Sequence, residues 1–178
     1  DPIGSRGLGD VYKRQGVNLT KQLKEGITST DLVLYITKLL RDSKVVGSFI
    51  EFCGEGVENL TVGDRATISN MAPEYGATAV LFPVDKATLN YLSMTGRTEE
   101  EIKIVEEYSK HQNLWRKSKT APEYNRVLDL DLSTIEPCVS GPKNPEDKID
   151  LDKFSKEINK HSKMLYNKDL RDDEFEVP

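Results

Sequence analysis

The feature that most restricts the fold is a strand pattern, a helix pattern and a second strand pattern in succession between residues 45 and 82. Residues 45–53, VVGSFIEFC, are rich in β-branched and aromatic side chains and predict a buried strand ending in a Gly-Glu-Gly turn. Residues 64–71 predict a short helix, and residues 77–82, ATAVLF, predict a strand covered on both faces. Strands joined through a crossover helix run parallel. The sequence therefore predicts an α/β fold, a layered α/β/α domain with a mostly parallel sheet.

The chain carries further helical patterns at residues 27–43, 86–95, 98–114 and 151–161. The first begins with a Thr-Ser-Thr-Asp cap signal and places its apolar residues on one face, which predicts an amphipathic helix. In the third, Ile102, Val105 and Tyr108 are expected to form the inner stripe. The pattern in residues 151–161 is the weakest of the four.

Two later segments predict a strand and a loop. Residues 126–132 alternate leucine with aspartate, which predicts a strand with one side exposed to solvent. Residues 137–145, PCVSGPKNP, are rich in proline and glycine and are expected to form a loop.

Length and composition restrict the function classes. The 178 residues suffice for one core, and no apolar run approaches the roughly 18 to 20 residues that span a bilayer. The net charge of -5 argues against a general nucleic-acid surface, which needs clustered Lys and Arg. Two cysteines, Cys53 and Cys138, lack the close spacing of a metal motif, fit a reducing compartment and are expected to be small, partly buried thiols.

Both ends of the chain differ from its body. Residues 10–15, DVYKRQ, resemble the translation of a transposase end sequence used in DNA library preparation, so residues 1–15 are expected to be non-native. Residues 160–178 are polar and highly charged, and are expected to be a tail or a linker that has been cut short. Residues 16–159 remain as the α/β region.

The candidate site is the pair Asn70 and Glu74 in the stretch ISNMAPEYGAT. If both residues end one helix, their side chains converge near the carboxyl edge of the sheet, where open parallel sheets bind ligands. Asn offers a donor and an acceptor, and Glu accepts a hydrogen bond from a hydroxyl or a bound water. The pair therefore suits a polyhydroxylated acid or a metal-bound hydroxide. The alternative is an ordinary helix end with polar side chains.

From about residue 16 to residue 150 the sequence resembles the aconitase A and iron regulatory protein family. The matching stretches are LKEGITSTDLVLYITKLLR, VVGSFIEFCGEGVENLTVGDRATISNMAPEYGAT, LFPVDKATLNYLSMTGR and SGPKNPEDK. The resemblance implies a hydro-lyase of the tricarboxylic acid cycle that interconverts citrate and isocitrate through cis-aconitate on a 4Fe–4S cluster. It also implies that Glu74 hydrogen-bonds an iron-bound hydroxyl or water, and that Asn70 helps to hold the cluster environment.

The same resemblance implies that the cysteine ligands of the cluster lie outside this chain, so no metal or cofactor ligand is expected within it. The chain is then a fragment, catalytically inert alone, of a cytoplasmic enzyme that is monomeric when complete, and its partners are the remaining aconitase domains. Three alternatives stay open: a 2-methylcitrate or 2-methylaconitate dehydratase of the same fold, an iron-regulated RNA-binding relative, and an independent binding module.

Overall fold

The computed structural model describes residues 13–117, 123–141 and 143–166. Its main sheet contains four parallel strands in the order β3-β2-β1-β4. These strands are β1 (Arg14–Thr20), β2 (Phe49–Cys53), β3 (Ala79–Leu81) and β4 (Arg126–Asp131). A small antiparallel sheet pairs β5 (Cys138–Ser140) with β6 (Lys148–Asp150). The predicted α/β class with a parallel sheet is confirmed.

The α-helices of the described residues are α1 (Ser29–Asp42), α2 (Val62–Asn70), α3 (Ala72–Tyr75), α4 (Lys86–Met94), α5 (Glu99–His111) and α6 (Phe154–Tyr166). Helices α1, α2, α4 and α5 each begin at a capping box, in which the cap side chain and the third helical residue bind each other's backbone amides. Among these helices, none is long and apolar enough to cross a bilayer.

The core lies between one face of the main sheet and helices α1 to α3. Side chains from the middle of the sheet alternate, so that Val17, Leu19, Ile50 and Phe52 are fully buried on this face. They belong to the same buried cluster as Ile36 and Leu40 of α1, Ile68 of α2 and Tyr75 of α3. Each such side chain contributes about 1.5–3 kcal/mol on burial. This packing fixes α2 and α3 against the sheet.

The opposite face of the sheet is called the open face below, and it comprises Gly16, Asn18, Glu51, Cys53, Leu81, Val127 and Asp129. These residues alternate with the core residues along each strand, which places them on the other side of the sheet. The side chains of Leu81 and Val127 remain about half exposed, at 53% and 49%.

Both strands of the predicted crossover are shorter than expected. β2 begins at Phe49 rather than at residue 45, because Gly47 adopts a φ of +73° and the amide of Ser48 donates to the carbonyl of Val45, which makes a turn. β3 has only three residues and lies at the sheet edge. The prediction that this strand is covered on both faces is wrong, since Leu81 is half exposed.

Other boundaries also differ. Tyr108 was predicted on the inner stripe of its helix, but 61% of it is exposed because α5 packs mainly beside α4 rather than across the sheet. The predicted loop at residues 137–145 contains β5, which pairs with β6. Helix α6 runs to Tyr166 and so includes the first residues of the expected tail. Strand β1 starts at Arg14 and spans the expected boundary after residue 15.

Candidate functional site

Asn70 and Glu74 lie on two consecutive short helices. Asn70 is the last residue of α2, Glu74 is in α3, and Met71 joins the helices as the C-cap of one and the N-cap of the other. The amide of Glu74 donates to the carbonyl of Met71 at 3.1 Å. Pro73 occupies the first turn of α3, where its missing amide hydrogen is tolerated, so a new helix starts directly after α2. We call residues 70–76 the α2–α3 corner.

The α2–α3 corner lies at the amino edge of the sheet, and the predicted carboxyl-edge location is wrong. Helix α2 follows the carboxyl end of β2 and returns across the sheet, so it ends where the parallel strand β3 begins. Two backbone hydrogen bonds confirm this position: Gly47 donates to the carbonyl of Gly76 at 2.9 Å, and Thr78 donates to the carbonyl of Ser48 at 2.8 Å. Residues 47–48 directly precede β2, and residues 76–78 directly precede β3.

Two hydrogen bonds and one glycine hold the corner in one conformation. The hydroxyl of the fully buried Tyr75 donates to the carbonyl of Ile68 at 2.9 Å and thereby ties α3 to the last turns of α2. Gly76 closes α3 with a φ of +80°, which a residue with a side chain adopts only with strain. Arg41 of α1 donates to the carbonyl of Glu74 at 3.4 Å. Burial, with the charge of Glu74 nearby, raises the pKa of Tyr75, so its hydroxyl remains a donor.

The carboxylate of Glu74 has an unused acceptor. Its Oε2 atom is buried and has no hydrogen-bond partner among the residues that the structure describes. A buried acceptor without a partner costs about 1–3 kcal/mol, so native proteins retain few of them. Asn70 is exposed at the end of α2. The corner therefore offers one oriented carboxylate oxygen that lacks a donor and one accessible amide.

A buried ion pair attaches α2 to the start of α4. Arg65 donates to both carboxylate oxygens of Asp85, at 2.9 and 2.7 Å, and to the carbonyl of Val57 at 3.0 Å. The two side chains are only 5% and 11% exposed. The guanidinium also lies 6.0 Å from the ring centroid of Phe82, which stacks on Phe52. This pair sets the position of the helix that ends at Asn70.

A groove with a volume of about 860 Å³ lies over the open face and reaches the carboxyl ends of β2 and β3. Its lining includes Asn18, Glu51, Cys53, Tyr124 and Arg116. Asn70 and Glu74, which were expected at the carboxyl edge, do not line this groove. A glutamate within the apolar run VVGSFIEFC, two residues from a cysteine, is the signal that could have identified Glu51.

The cysteines do not form a ligand set for an iron–sulfur cluster. Cys53 lies on the open face and Cys138 lies in β5, where its Sγ is 3.8 Å from the carbonyl oxygen of Asp31. Burial raises the pKa of both thiols. The negative charge of Glu51 also raises the pKa of Cys53, and that of Asp31 also raises the pKa of Cys138. In the part of the chain with described coordinates, no group of three His, Cys, Asp or Glu side chains could hold a metal ion. These residues therefore do not fit a 4Fe–4S cluster.

The fold and the corner define a parallel α/β domain with a carboxylate and an amide at the amino edge of its sheet. A sequence profile of the aconitase family (aconitate hydratase) matches residues 9–176, and the chain belongs to this family. The chain is 53% identical over 136 residues to aconitate hydratase A of Rickettsia felis. The aligned residues make up 76% of this chain and 16% of that protein.

Other relatives give the same result. Aconitate hydratase A of Streptomyces viridochromogenes is 50% identical over 147 residues, covering 80% of this chain and 16% of that protein. Aconitate hydratase A of Pseudomonas aeruginosa is 50% identical over 144 residues, which make up 81% of this chain and 16% of that protein. The chain thus spans about 16% of the length of the curated relatives that it matches.

Proposed function

We propose that this chain is part of a hydro-lyase, an aconitate hydratase, which interconverts citrate and isocitrate by removing and re-adding water through cis-aconitate. The support is membership of the aconitase family and the identity of 50–53% to relatives named aconitate hydratase A. We place the complete enzyme in the cytoplasm and in the tricarboxylic acid cycle. The substrates, the cellular location and the pathway are all part of the proposal.

Within that enzyme, Asn70 and Glu74 form one wall of the active site. The observation that carries this assignment is the buried Oε2 atom of Glu74, which lacks a donor among the described residues. A substrate hydroxyl, or the water that is exchanged in the reaction, would supply that donor. The exposed amide of Asn70 has both a donor and an acceptor with which to orient a substrate carboxylate or hydroxyl.

The proposed enzyme uses a 4Fe–4S cluster whose cysteine ligands come from parts of the polypeptide outside this chain. When bound, the cluster supplies a Lewis acid that polarises the substrate hydroxyl. The residues of this chain contribute by binding and orienting the substrate. The α2–α3 corner is suited to this role because Tyr75, Gly76 and Arg41 hold it rigidly. Without the rest of the enzyme, the chain is expected to be inactive.

The substrate test compares citrate with 2-methylcitrate as substrates of the complete, cluster-loaded enzyme. Turnover of citrate at a kcat/KM at least tenfold above that of 2-methylcitrate is expected. The reverse order would replace the proposal with the methylcitrate-type dehydratase of the same fold. A gel shift with an RNA hairpin after removal of the cluster tests the regulatory alternative, and no shift is expected at physiological salt because the 178-residue sequence carries a net charge of -5.

A further inference from the structure

Glu74 is carried by a helix that is too short to be stable by itself. Helix α3 has four residues, and one helical turn fixes several backbone dihedrals for a single hydrogen bond, so such a turn needs tertiary contacts. A side chain of an active site must be held to within about 0.5 Å of its working position. The position of the Glu74 carboxylate therefore depends on the contacts that its neighbours in α3 make.

Tyr75 anchors α3 to the core. Its side chain is fully buried, whereas Pro73 is exposed and Glu74 is partly exposed. Met71 and Ala72 pack against the same core, and they lie one helical turn before Tyr75 on the same side. The residue that follows Glu74 in the sequence therefore fixes the rotation of α3 about its own axis.

The hydroxyl of Tyr75 closes a loop that contains both residues of the site. It donates to the carbonyl of Ile68 at 2.9 Å, and Ile68 lies two residues before Asn70. Among the residues that the structure describes, this is the one side-chain hydrogen bond that joins α2 to α3. The carbonyl of Ile68 is among the last four of α2, which have no acceptor role within the helix. The phenol thus ties the end of α2 to α3.

The charge of Glu74 lies within electrostatic reach of this hydroxyl. Burial raises the pKa of Tyr75, and the negative charge of Glu74 raises it further, so the phenol stays protonated and remains a donor. The Oε2 atom of Glu74 is buried and has no hydrogen-bond partner in the described part of the chain. The direction of this oxygen therefore comes from the backbone of α3, which Tyr75 holds.

We propose that Tyr75 is a positioning residue, whose hydroxyl sets the position of the Glu74 carboxylate toward the hydroxyl or water that it binds in the reaction. This inference rests on the proposed function. Loss of the Tyr75 hydroxyl releases α3 from the end of α2, and misplacement of a reacting group by about 1 Å costs on the order of 100-fold in rate. Because the lost interaction belongs to the transition state, kcat and kcat/KM fall together.

Turnover of citrate by the complete enzyme tests this role. Tyr75→Phe removes the hydroxyl and keeps the ring, and the carbonyl of Ile68 retains the amide of Met71 at 3.3 Å, so the variant should fold. Its kcat should fall at least tenfold, with KM within threefold of the parent value. The control Ile135→Val trims a fully buried side chain of the same core outside α2 and α3, and should keep full turnover. An unchanged kcat in Tyr75→Phe, or an equal fall in the control, would overturn the proposal.

Hydrogen exchange gives a readout that does not depend on turnover. The amides of Glu74 and Gly76 donate to the carbonyls of Met71 and Pro73, both at 3.1 Å, and they should exchange at least tenfold faster in Tyr75→Phe than in Ile135→Val. Equal exchange rates would show that the hydroxyl does not hold α3. If Tyr75→Phe does not fold, 4-fluorophenylalanine in place of Tyr75 fills the space of the hydroxyl without donating, and the same changes are expected.

A double-variant cycle shows whether Tyr75 acts through Glu74. In the Glu74→Gln background, Tyr75→Phe should lower kcat by less than threefold, because the carboxylate that Tyr75 positions is already absent. A further tenfold fall would make the two residues independent and refute the inference. If Glu74→Gln keeps the parent turnover, the site assignment and the inference both fail. If Glu74→Gln loses turnover and Tyr75→Phe does not, only the positioning role of Tyr75 fails.

Discussion

The buried pair of Arg65 and Asp85 gives the sharpest stability prediction. Asp85→Ala removes the only carboxylate that pairs with this guanidinium in the described chain and leaves the charge facing the carbonyls of Val57 and Pro83 at 3.0 and 3.4 Å. The Nε atom of Arg65 already lacks a partner among the described residues. The variant therefore leaves the charge of Arg65 without a carboxylate partner, although the arginine side chain is only 5% exposed to solvent.

The expected loss has two parts. Breaking a buried ion pair by removing one partner costs about 3–5 kcal/mol of unfolding free energy. Asp85 is also the N-cap of α4, and loss of a cap contributes about 1 kcal/mol of that total. Asp85→Ser keeps a capping oxygen without the charge, so the difference between the Ser and Ala variants measures the cap. The remainder, about 2–4 kcal/mol, belongs to the unpaired arginine.

Urea unfolding of the chain, followed by circular dichroism, measures these differences. The matched control is Asp42→Ala, which removes an exposed pair with Lys38 at 3.2 Å and should cost no more than about 0.5 kcal/mol. The double variant Arg65→Met with Asp85→Ala should be more stable than Asp85→Ala alone, because it removes the isolated charge. A loss for Asp85→Ala that equals the loss for Asp42→Ala would refute the reasoning.

Two further predictions concern the sheet. Gly16→Ala should destabilise the chain by about 1–3 kcal/mol, because its Cβ would meet the ring of Tyr124 at 2.5 Å. The control Gly63→Ala in α2 has its nearest contact at 3.5 Å and should stabilise the chain by up to about 1 kcal/mol. Equal free energies of unfolding in urea for the two variants would contradict this prediction. The hydrogen bond from Lys21 lowers the pKa of Asp131 to about 2. Because the unfolded value is about 3.9, this stabilisation is present above pH 4 and is lost as the pH falls toward 2. In Lys21→Ala, the pKa of Asp131 measured by carboxyl NMR should rise, and a value still near 2 would refute the assignment.

Local signals in the sequence predicted the helices well. The cap signal at Thr28 and Asp31 predicted the start of α1 to within two residues, and the pattern in residues 98–114 predicted the start of α5 to within one, where Thr98 and Glu101 form the capping box. These signals are reliable because both partners of a capping box lie within one turn. The strand that ends at Cys53 was also correct at its carboxyl end, where a glycine follows.

Strand β1 could not be predicted because the residues that explain it are distant in sequence. RQGVNLT lacks a strong alternating pattern, and its glycine is favourable only because Tyr124, far along the chain, packs on the backbone there. Gln15 likewise is buried through a hydrogen bond to Ser48. Pairing with β2 and β4 on both sides makes this segment a central strand despite its weak pattern.

The location of the α2–α3 corner was predictable in principle. A helix that joins two parallel strands must run antiparallel to them, so its last residue, Asn70, lies at their amino edge. The spacing of Asn70 and Glu74 could not indicate the unpartnered Oε2 atom, because burial of a side-chain atom depends on tertiary packing and not on local spacing.

The most direct test of the proposed function is the turnover of citrate by the complete enzyme that carries Glu74→Gln. This change keeps the size of the side chain but removes its charge and one acceptor, and kcat/KM should fall at least about 100-fold. The melting temperature should stay within a few degrees of the parent value, as it should for the control Glu107→Gln, an exposed residue of α5, which retains full turnover. Unchanged turnover in Glu74→Gln would remove Glu74 from the active site and contradict the account.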